Sequence, residues 1–569
     1  MTRVSRRLVL GAGGGVLAAA ALPSLAWARD YDQPYPLYPA ETTLRRATPQ
    51  QMGLVAERVE WARAQLAGYQ EGTGLEHPLF PGHVAMMGHD GAVVASDASG
   101  YAVLYRDATE LLPPGERVPV REDTVFDLAS VSKLFTSICV VQLVERGQVD
   151  LQQPVARYLP EFGNHGKETI TVQQLLAHTS GLDAWMPLWS AYPDRASRVQ
   201  AVMEATPVSA PQTAYQYSDL NLITLGVMVE KLTGKPLDQV VRERVTGPLG
   251  MRDTGYNPAD KQRTAATEYQ TAPARGMVRG EVHDENAWSL GGVAGHAGVF
   301  STAWDLAVLS QALLNGGRYG GQRILSRQSV TRLITNVNQQ FPGDDHGLGF
   351  ELNQRWYAEG LAHPRQAGHT GYTGTSLVID FASRSFAVLL TNRVHPSRSW
   401  GSVNPARRDW AQGLALAMPV RPRRGPDAWF TGDRSGTTAT LSLPVTVKRV
   451  AMLGFALFLD TEETDPLVLE VSRDQGVTWS PLPFRVRDQD RWREIPSGSW
   501  AESGLRRWVR AEAVLADGPQ VVRWRHTTDA RYLGRGVYVD DVQVRGGARL
   551  DTEQDPSVLT ASGWVRSPV

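Results

Sequence analysis

The stretch Phe126-Asp127-Leu128-Ala129-Ser130-Val131-Ser132-Lys133-Leu134-Phe135 places a serine and a lysine three residues apart, at the mouth of an apolar run that reaches Val144. Residues three apart on a helix share a face, so this spacing predicts a hydroxyl and an amine within reach of each other at a helix start. A serine hydroxyl is a poor nucleophile near neutral pH and must give its proton to a base as it attacks. A lysine held between apolar walls can serve if desolvation lowers its pKa. Free backbone N–H groups and the positive end of the helix dipole at the same place favour developing oxyanion charge. The pattern also fits a serine that only caps a core helix, so the decision rests on the rest of the chain.

Working outward, Tyr215-Gln216-Tyr217-Ser218-Asp219-Leu220-Asn221 opens a second helix and Gly368-His369-Thr370-Gly371-Tyr372 opens a late strand pair. Before Ser130, residues 54–66 carry apolar side chains at helical spacing, and residues 83–88 and 92–95 read as strands joined by the turn His89-Asp90-Gly91. Residues 150–310 read as mostly helical, with segments at 172–176, 222–232 and 305–314, the last after the capping residues Ser301 and Thr302. Residues 375–381 and 385–391 are strands, and 406–418 a closing helix. Strands at both ends of the segment predict an α/β (α+β) fold: an antiparallel sheet flanked by helices, with a mostly helical subdomain between its two halves.

Ser-x-x-Lys, Tyr-Ser-Asp and His-Thr-Gly in this order resemble the serine β-lactamase and penicillin-binding-protein superfamily. The likeness is greatest to its class C branch, which holds β-lactamases, D-alanyl-D-alanine carboxypeptidases, D-aminopeptidases and serine esterases. The stretches 175–182 (LLAHTSGL) and 291–298 (GGVAGHAG) add to it, and it covers residues 50 to 418. The resemblance implies that Ser130 is acylated, that Lys133 helps remove its proton, and that Tyr217 acts as base and then acid, its phenol lowered by the nearby amine. It also implies an oxyanion hole from the backbone N–H groups of Ser130 and Tyr372, and substrate contacts from Asp219, Asn221, His369, Thr370 and Gly371.

Two positions depart from the β-lactamase pattern. Asp219 stands where many relatives have asparagine and can only accept hydrogen bonds when ionised, so either Asn221 substitutes or Asp219 pairs with Lys133. His369 stands where β-lactamases usually have lysine. Its ordinary pKa of about 6.5 predicts weak carboxylate binding that fades above about pH 7. The expected activity is therefore hydrolysis of D-amino-acyl, cell-wall-type peptides, with small-ester or weak β-lactam hydrolysis as the alternative. A non-catalytic envelope-binding protein is the alternative of another class.

His178 reads as a histidine fixing a loop, and His283-Asp284-Glu285-Asn286 with His296 fits no standard metal spacing. Neither a metal nor a cofactor is implied. The 569 residues exceed one ordinary core, and a formal net charge of −1 gives no electrostatic reason for a nucleic-acid or anionic-membrane partner. Residues 1–28 read as a twin-arginine export signal, with Arg6 and Arg7 before an apolar run and Ala26-Trp27-Ala28 as cleavage site, which predicts a periplasmic or extracellular protein without a stable membrane span after cleavage. Cys139 has no cysteine partner and reads as a core thiol.

Residues 29–50 form a lead-in, 51–418 the hydrolase unit, and the Pro/Arg-rich 419–427 a linker. From 428 to 569 the periodicity changes to strand alternation, predicting an all-β sandwich of jelly-roll type. Its seven tryptophans, Trp429, Trp479, Trp492, Trp500, Trp508, Trp524 and Trp564, suit an inward core, with cell-wall glycan as a possible partner of the module. Residues 472–479 resemble an Asp-box turn, and Asp540-Asp541 reads as a solvated acidic pair rather than a calcium site.

Overall fold

A helical stripe and short, almost fully buried strand runs build the sheet layer. In the computed structural model, which describes Pro39 and residues 41–74 and 76–569, helix α1 spans Ala56–Glu71, strand β1 Gly82–His89 and strand β2 Ala92–Val103. Helix α2 (Ser132–Glu145) and helix α3 (Asp219–Thr233) follow, then strands β3 (Gln366–Thr370), β4 (Ser376–Asp380) and β5 (Ser385–Thr391), and helix α4 (Asn404–Ala417). The expected export signal lies outside the described residues. Among those residues no helix is long and apolar enough to cross a membrane.

The main sheet runs β2-β1-β5-β4-β3, all antiparallel, with Arg45–Arg46 parallel to β2 at one edge and Glu351–Leu352 at the other. Strands from the two ends of the segment meet in its middle: Ala85 of β1 faces Leu389 of β5. The sheet therefore closes only when the chain returns after its helical excursion. Helices α1 and α4 cover one face through Val59, Ala62, Leu66, Trp410 and Leu414 over Ala85, Met87, Ala387 and Leu389. Gly413 permits their close approach, since a Cβ there would lie 2.4 Å from the Ala62 Cβ. The helix Ala303–Leu314, capped by the Thr302 hydroxyl, lies on the other face against β1 and β5.

Every residue of α2 from Ser132 to Leu143 is buried, which makes it the central rod of the helical part; Cys139 is buried within it, as expected. Its N-terminal end is docked on the Gly-rich loop 291–298: Thr136 donates to the Gly295 carbonyl (2.8 Å), and Ser132 Oγ accepts from Val299 N (3.0 Å). Gly295 in turn must be glycine, because a Cβ there would sit 1.9 Å from the Leu222 carbonyl oxygen of α3.

Residues 428–567 build two further sheets, of eight and six strands, over one shared core. Leu441, Val522 and Trp524 from one sheet meet Leu453, Phe455 and Val539 from the other, with Phe455 edge-on to Trp524 at 5.2 Å. Of the seven tryptophans, Trp500, Trp524 and Trp564 are core residues and Trp429 packs against that core, whereas Trp492 is exposed and departs from the expected inward set. The Asp-box segment forms its turn: Asp474 Oδ1 accepts from Thr478 N at 2.9 Å and Ser472 Oγ accepts from Gly476 N at 2.7 Å.

The segment between the two parts is strapped to the sandwich rather than free. Val420 is buried, the Asp540 carboxylate accepts from Arg423 N and Arg424 N, and Trp508 Nε1 donates to the Arg421 carbonyl. Asp541 pairs with Arg424 and Arg510. The acidic pair is thus held by arginines and backbone amides instead of being merely solvated. The sandwich docks on the α4 side through buried charge: Arg506 bridges Asp380 of β4 and Asp460, and donates to the Gly360 carbonyl at 2.7 Å.

Candidate active site

The chain turns sharply just before α2. Ala129 has φ of +46°, a left-handed conformation that costs a residue with a side chain energy, and the buried Asp127 carboxylate stabilises it by accepting Ala129 N (2.8 Å) and His283 N (2.6 Å). Ser130 therefore sits in a short 3-10 turn, Ala129–Val131, one step before α2 rather than inside it. Burial raises the pKa of Asp127, and its two backbone donors pull the other way.

Lys133, with its side chain 1% exposed, reaches three groups. Its Nζ donates to Ser130 Oγ at 2.9 Å and to the His296 carbonyl at 3.1 Å, and lies 2.7 Å from Asp219 Oδ1. Of the two readings of Asp219, pairing with Lys133 is the observed one. Asn221 is not brought to the cleft: it is fully buried, its Oδ1 accepts from the Ser180 hydroxyl (2.7 Å), and its Nδ2 lies 3.2 Å from His178 Nδ1. It cannot replace the missing asparagine as a substrate donor, because those atoms serve the loop behind.

Tyr217 lies with its ring 4.9 Å from Lys133 Nζ and hydrogen-bonds to Ser130. Burial, followed by the Asp219 carboxylate, pushes its phenol well above the usual 10, while the Ser130 hydrogen bond lowers it only in part. The expected lowering of this phenol is not found, since burial penalises the tyrosinate. His178 is the surface behind it, stacked on Tyr217 at 4.6 Å and accepting Ser218 N at 3.1 Å, so it does fix a loop, and that loop carries Tyr217. Burial holds this imidazole well below its ordinary pKa.

At the end of β3, the Thr373 and Thr375 hydroxyls donate to the carbonyls of Asp127 (2.7 Å) and Leu128 (3.0 Å), laying the Gly371-Tyr372 backbone beside Ser130. Gly371 has no room for a side chain, as a Cβ would lie 2.3 Å from the Leu128 carbonyl oxygen. Arg407 of α4 secures this loop from beneath by donating to the carbonyls of Gly371 (2.6 Å) and Thr375 (2.9 Å). The Tyr372 ring is half exposed at the rim, stacked over His283 at 5.9 Å and under the Arg393 guanidinium at 4.7 Å.

His369 approaches the Tyr217 ring at 6.1 Å. Burial, then the Lys133 charge, lowers its pKa to about 3. Nδ1 is 2.8 Å from the Thr370 carbonyl, an acceptor, so Nδ1 carries the proton of the neutral ring and Nε2 is a bare, buried acceptor. The expected change of charge near pH 7 is therefore overturned, because this imidazole is already neutral throughout that range.

Among the described residues, two clusters bring three potential metal ligands within 4.8 Å: Asp219, Asp284 and His296 beside the site, and Glu462, Asp465 and Asp529 in the sandwich. In the first, Lys133 already lies on Asp219 and His296 Nε2 lies 2.9 Å from Asp284, which also caps the helix Glu285–Ser289. His283 is bound to Glu268 at 3.0 Å. Protein partners account for the histidines that had raised the question of a metal. Asp127 and Arg407 are the residues that sequence reasoning missed. Asp127, the one charged residue in an otherwise apolar run up to Ser130, carried a usable signal, whereas Arg407 lies in an ordinary amphipathic helix and carried none.

A hydroxyl, an amine and a phenol meeting beside the His369-Thr370-Gly371 strand end, on this sheet, define a serine hydrolase of β-lactamase type. Residues 71–412 match the family model described as Beta-lactamase, and the chain belongs to that family. A protein of Salmonella agona (strain SL483), titled "Putative D-alanyl-D-alanine carboxypeptidase", is 32% identical over 411 residues, covering 65% of this chain and 89% of its own. Two solved structures share the fold with a TM-score of 0.50 and cover 64% of this chain and 99% of their own. They are a penicillin-binding-protein homologue from Caulobacter crescentus at 20% identity and EstCE1, a hydrolase with promiscuous acyltransferase activity, at 22%.

Proposed function

We propose that this chain is an exported serine hydrolase that forms an acyl-enzyme on Ser130, with D-amino-acyl peptides of the cell-wall type as its favoured substrates. The observation that carries this reading is the Lys133 Nζ at 2.9 Å from Ser130 Oγ, with Tyr217 bonded to the same hydroxyl. Ser130 attacks the carbonyl carbon as its proton passes to Lys133, whose own proton can rest on Asp219. The Ser130 and Tyr372 amides receive the oxyanion. Tyr217, kept protonated by its buried surroundings, acts as the acid: it protonates the leaving amine or alkoxide and regains a proton from Lys133. Water enters by the same route in reverse and releases the acid.

The carboxypeptidase title of the Salmonella relative supports the peptide reading. A second reading, ester hydrolysis, is favoured by His369: a neutral ring with a bare Nε2 cannot ion-pair with, or donate to, a substrate carboxylate. Intact mass after incubation with a p-nitrophenyl ester or a labelled penicillin, with Ser130→Ala as control, tests the acyl-enzyme. A stable adduct or turnover in wild type only is expected, and equal behaviour of the variant would refute it. A peptide ending in D-Ala-D-Ala, compared with the same peptide as its C-terminal amide, separates the two readings: preference for the free carboxylate favours the peptidase and indifference the esterase.

A further inference from the structure

At the opposite end of α2 from Ser130, a length of roughly 20 Å by helical rise, lies a cavity of about 510 Å³. Its lining includes Arg146, Arg244, Arg323 and Arg332, drawn from four separate segments. Among the described residues none of the four guanidinium groups has an ion-pair or hydrogen-bond partner, and Arg244 Nη1 is buried with none. Two carboxylates also line the cavity, but both are engaged. Glu145 Oε1 accepts Ser326 N at 2.6 Å, and Glu243 takes the Lys235 ammonium at 2.6 Å and the Gln239 amide at 2.7 Å. Four positive and two negative side chains leave the lining at +2.

Gln142 adds a second kind of group. Its Nε2 donates to the carbonyls of Arg244 and Ile324, both at 2.9 Å, which fixes the amide's orientation and leaves Oε1 buried with no donor. Four free guanidinium forks around one unmet acceptor describe a host for an anion that also carries hydroxyl groups. Arginine forks suit oxyanions with two or more ionised oxygens, and the volume exceeds that of a bare phosphate and falls in the range of small-molecule sites.

We propose that this cavity binds a phosphate-bearing, hydroxylated small molecule, the phosphate held by Arg244 and Arg332 with Arg146 and Arg323 at the rim, and a hydroxyl donated to Gln142 Oε1. This site is separate from the acyl-enzyme chemistry and independent of it. Isothermal titration of the full chain with glucose 6-phosphate at fixed ionic strength tests it, with glucose as the neutral control and Ser130→Ala as a variant that leaves the cavity intact. Saturable binding is expected in wild type and Ser130→Ala, weakened about 10-fold or more in Arg244→Gln and in Arg332→Gln, whose exposed side chain can be replaced without disturbing the core, as loss of a charged hydrogen bond predicts. Absence of saturable binding in wild type, unchanged affinity in Arg332→Gln, or equal affinity for glucose would each overturn the proposal.

Discussion

Lys133 and Arg506 are both buried cations set against carboxylates, yet they do different work. Arg506, 8% exposed, lies between Asp380 and Asp460, which are 0% and 1% exposed, and gives a further hydrogen bond to the Gly360 carbonyl. All its partners are fixed acceptors, and an arginine does not surrender its proton. The carboxylates hold its pKa above even its ordinary value, and the same contacts, with His363, hold Asp380 far below its own. Lys133 also meets a carboxylate and a carbonyl, but its third partner, Ser130, carries a proton of its own and is part-exposed. Burial of a charge is therefore not the mark of a working site. What sets Lys133 apart is a partner that can give up a proton and that solvent reaches.

The strongest way to break this comparison is to remove proton transfer without disturbing packing. Tyr217→Phe keeps the ring stacked on His178 and deletes only the hydroxyl. Acylation measured with a p-nitrophenyl ester should slow by ~10²- to 10⁴-fold with little change in Tm. A loss under threefold would show that Tyr217 is only a wall of the pocket. Arg506→Leu is the opposite case. It strips the counter-charge from two buried carboxylates, so unfolding free energy should fall by about 3–5 kcal/mol, while acylation per folded molecule stays near that of wild type. If activity fell in step with Tyr217→Phe, the docking network would be part of the site after all.

The sequence carried the site better than it carried the supports. Ser130, Lys133 and Tyr217 were legible because their chemistry demands those residue types at a helix start, and the sheet was legible because both its halves alternate or run apolar. Asn221 was misread because periodicity does not tell which polar residue of a helical turn faces the cleft, and the partners that hold it, Ser180 and His178, lie more than forty residues upstream. The same limit hid the sense of two pKa shifts. Proximity of Tyr217 to an amine argued for a lowered phenol and the type of His369 argued for titration near 7, but burial outweighs both, and burial is a property of the assembled fold. Residues 419–427 read as a linker by composition, whereas Asp540, more than a hundred residues away, supplies the acceptor that pins them to the sandwich.

The smallest expected effect sharpens the comparison from the docking side. Glu359 lies under the sandwich, its Oε1 accepting Leu533 N at 2.5 Å and its Oε2 3.5 Å from Arg408. Unlike Asp380 it lacks an enclosing cation, and burial pushes its carboxyl up to about 8. A glutamate in the unfolded chain titrates near 4.3. The folded state therefore holds an extra proton between those values. The stability this contributes is complete below about 4.3 and is lost as pH rises through 8. Wild type should lose on the order of 2 kcal/mol between pH 6 and pH 9 from this group alone. Glu359→Gln, which cannot ionise, should lose correspondingly less, so the difference in unfolding midpoint between the two proteins widens with pH. A constant difference across that range would mean that Arg408 neutralises Glu359 as fully as Arg506 neutralises Asp380, and the distinction between closely and loosely paired buried carboxylates at this interface would disappear.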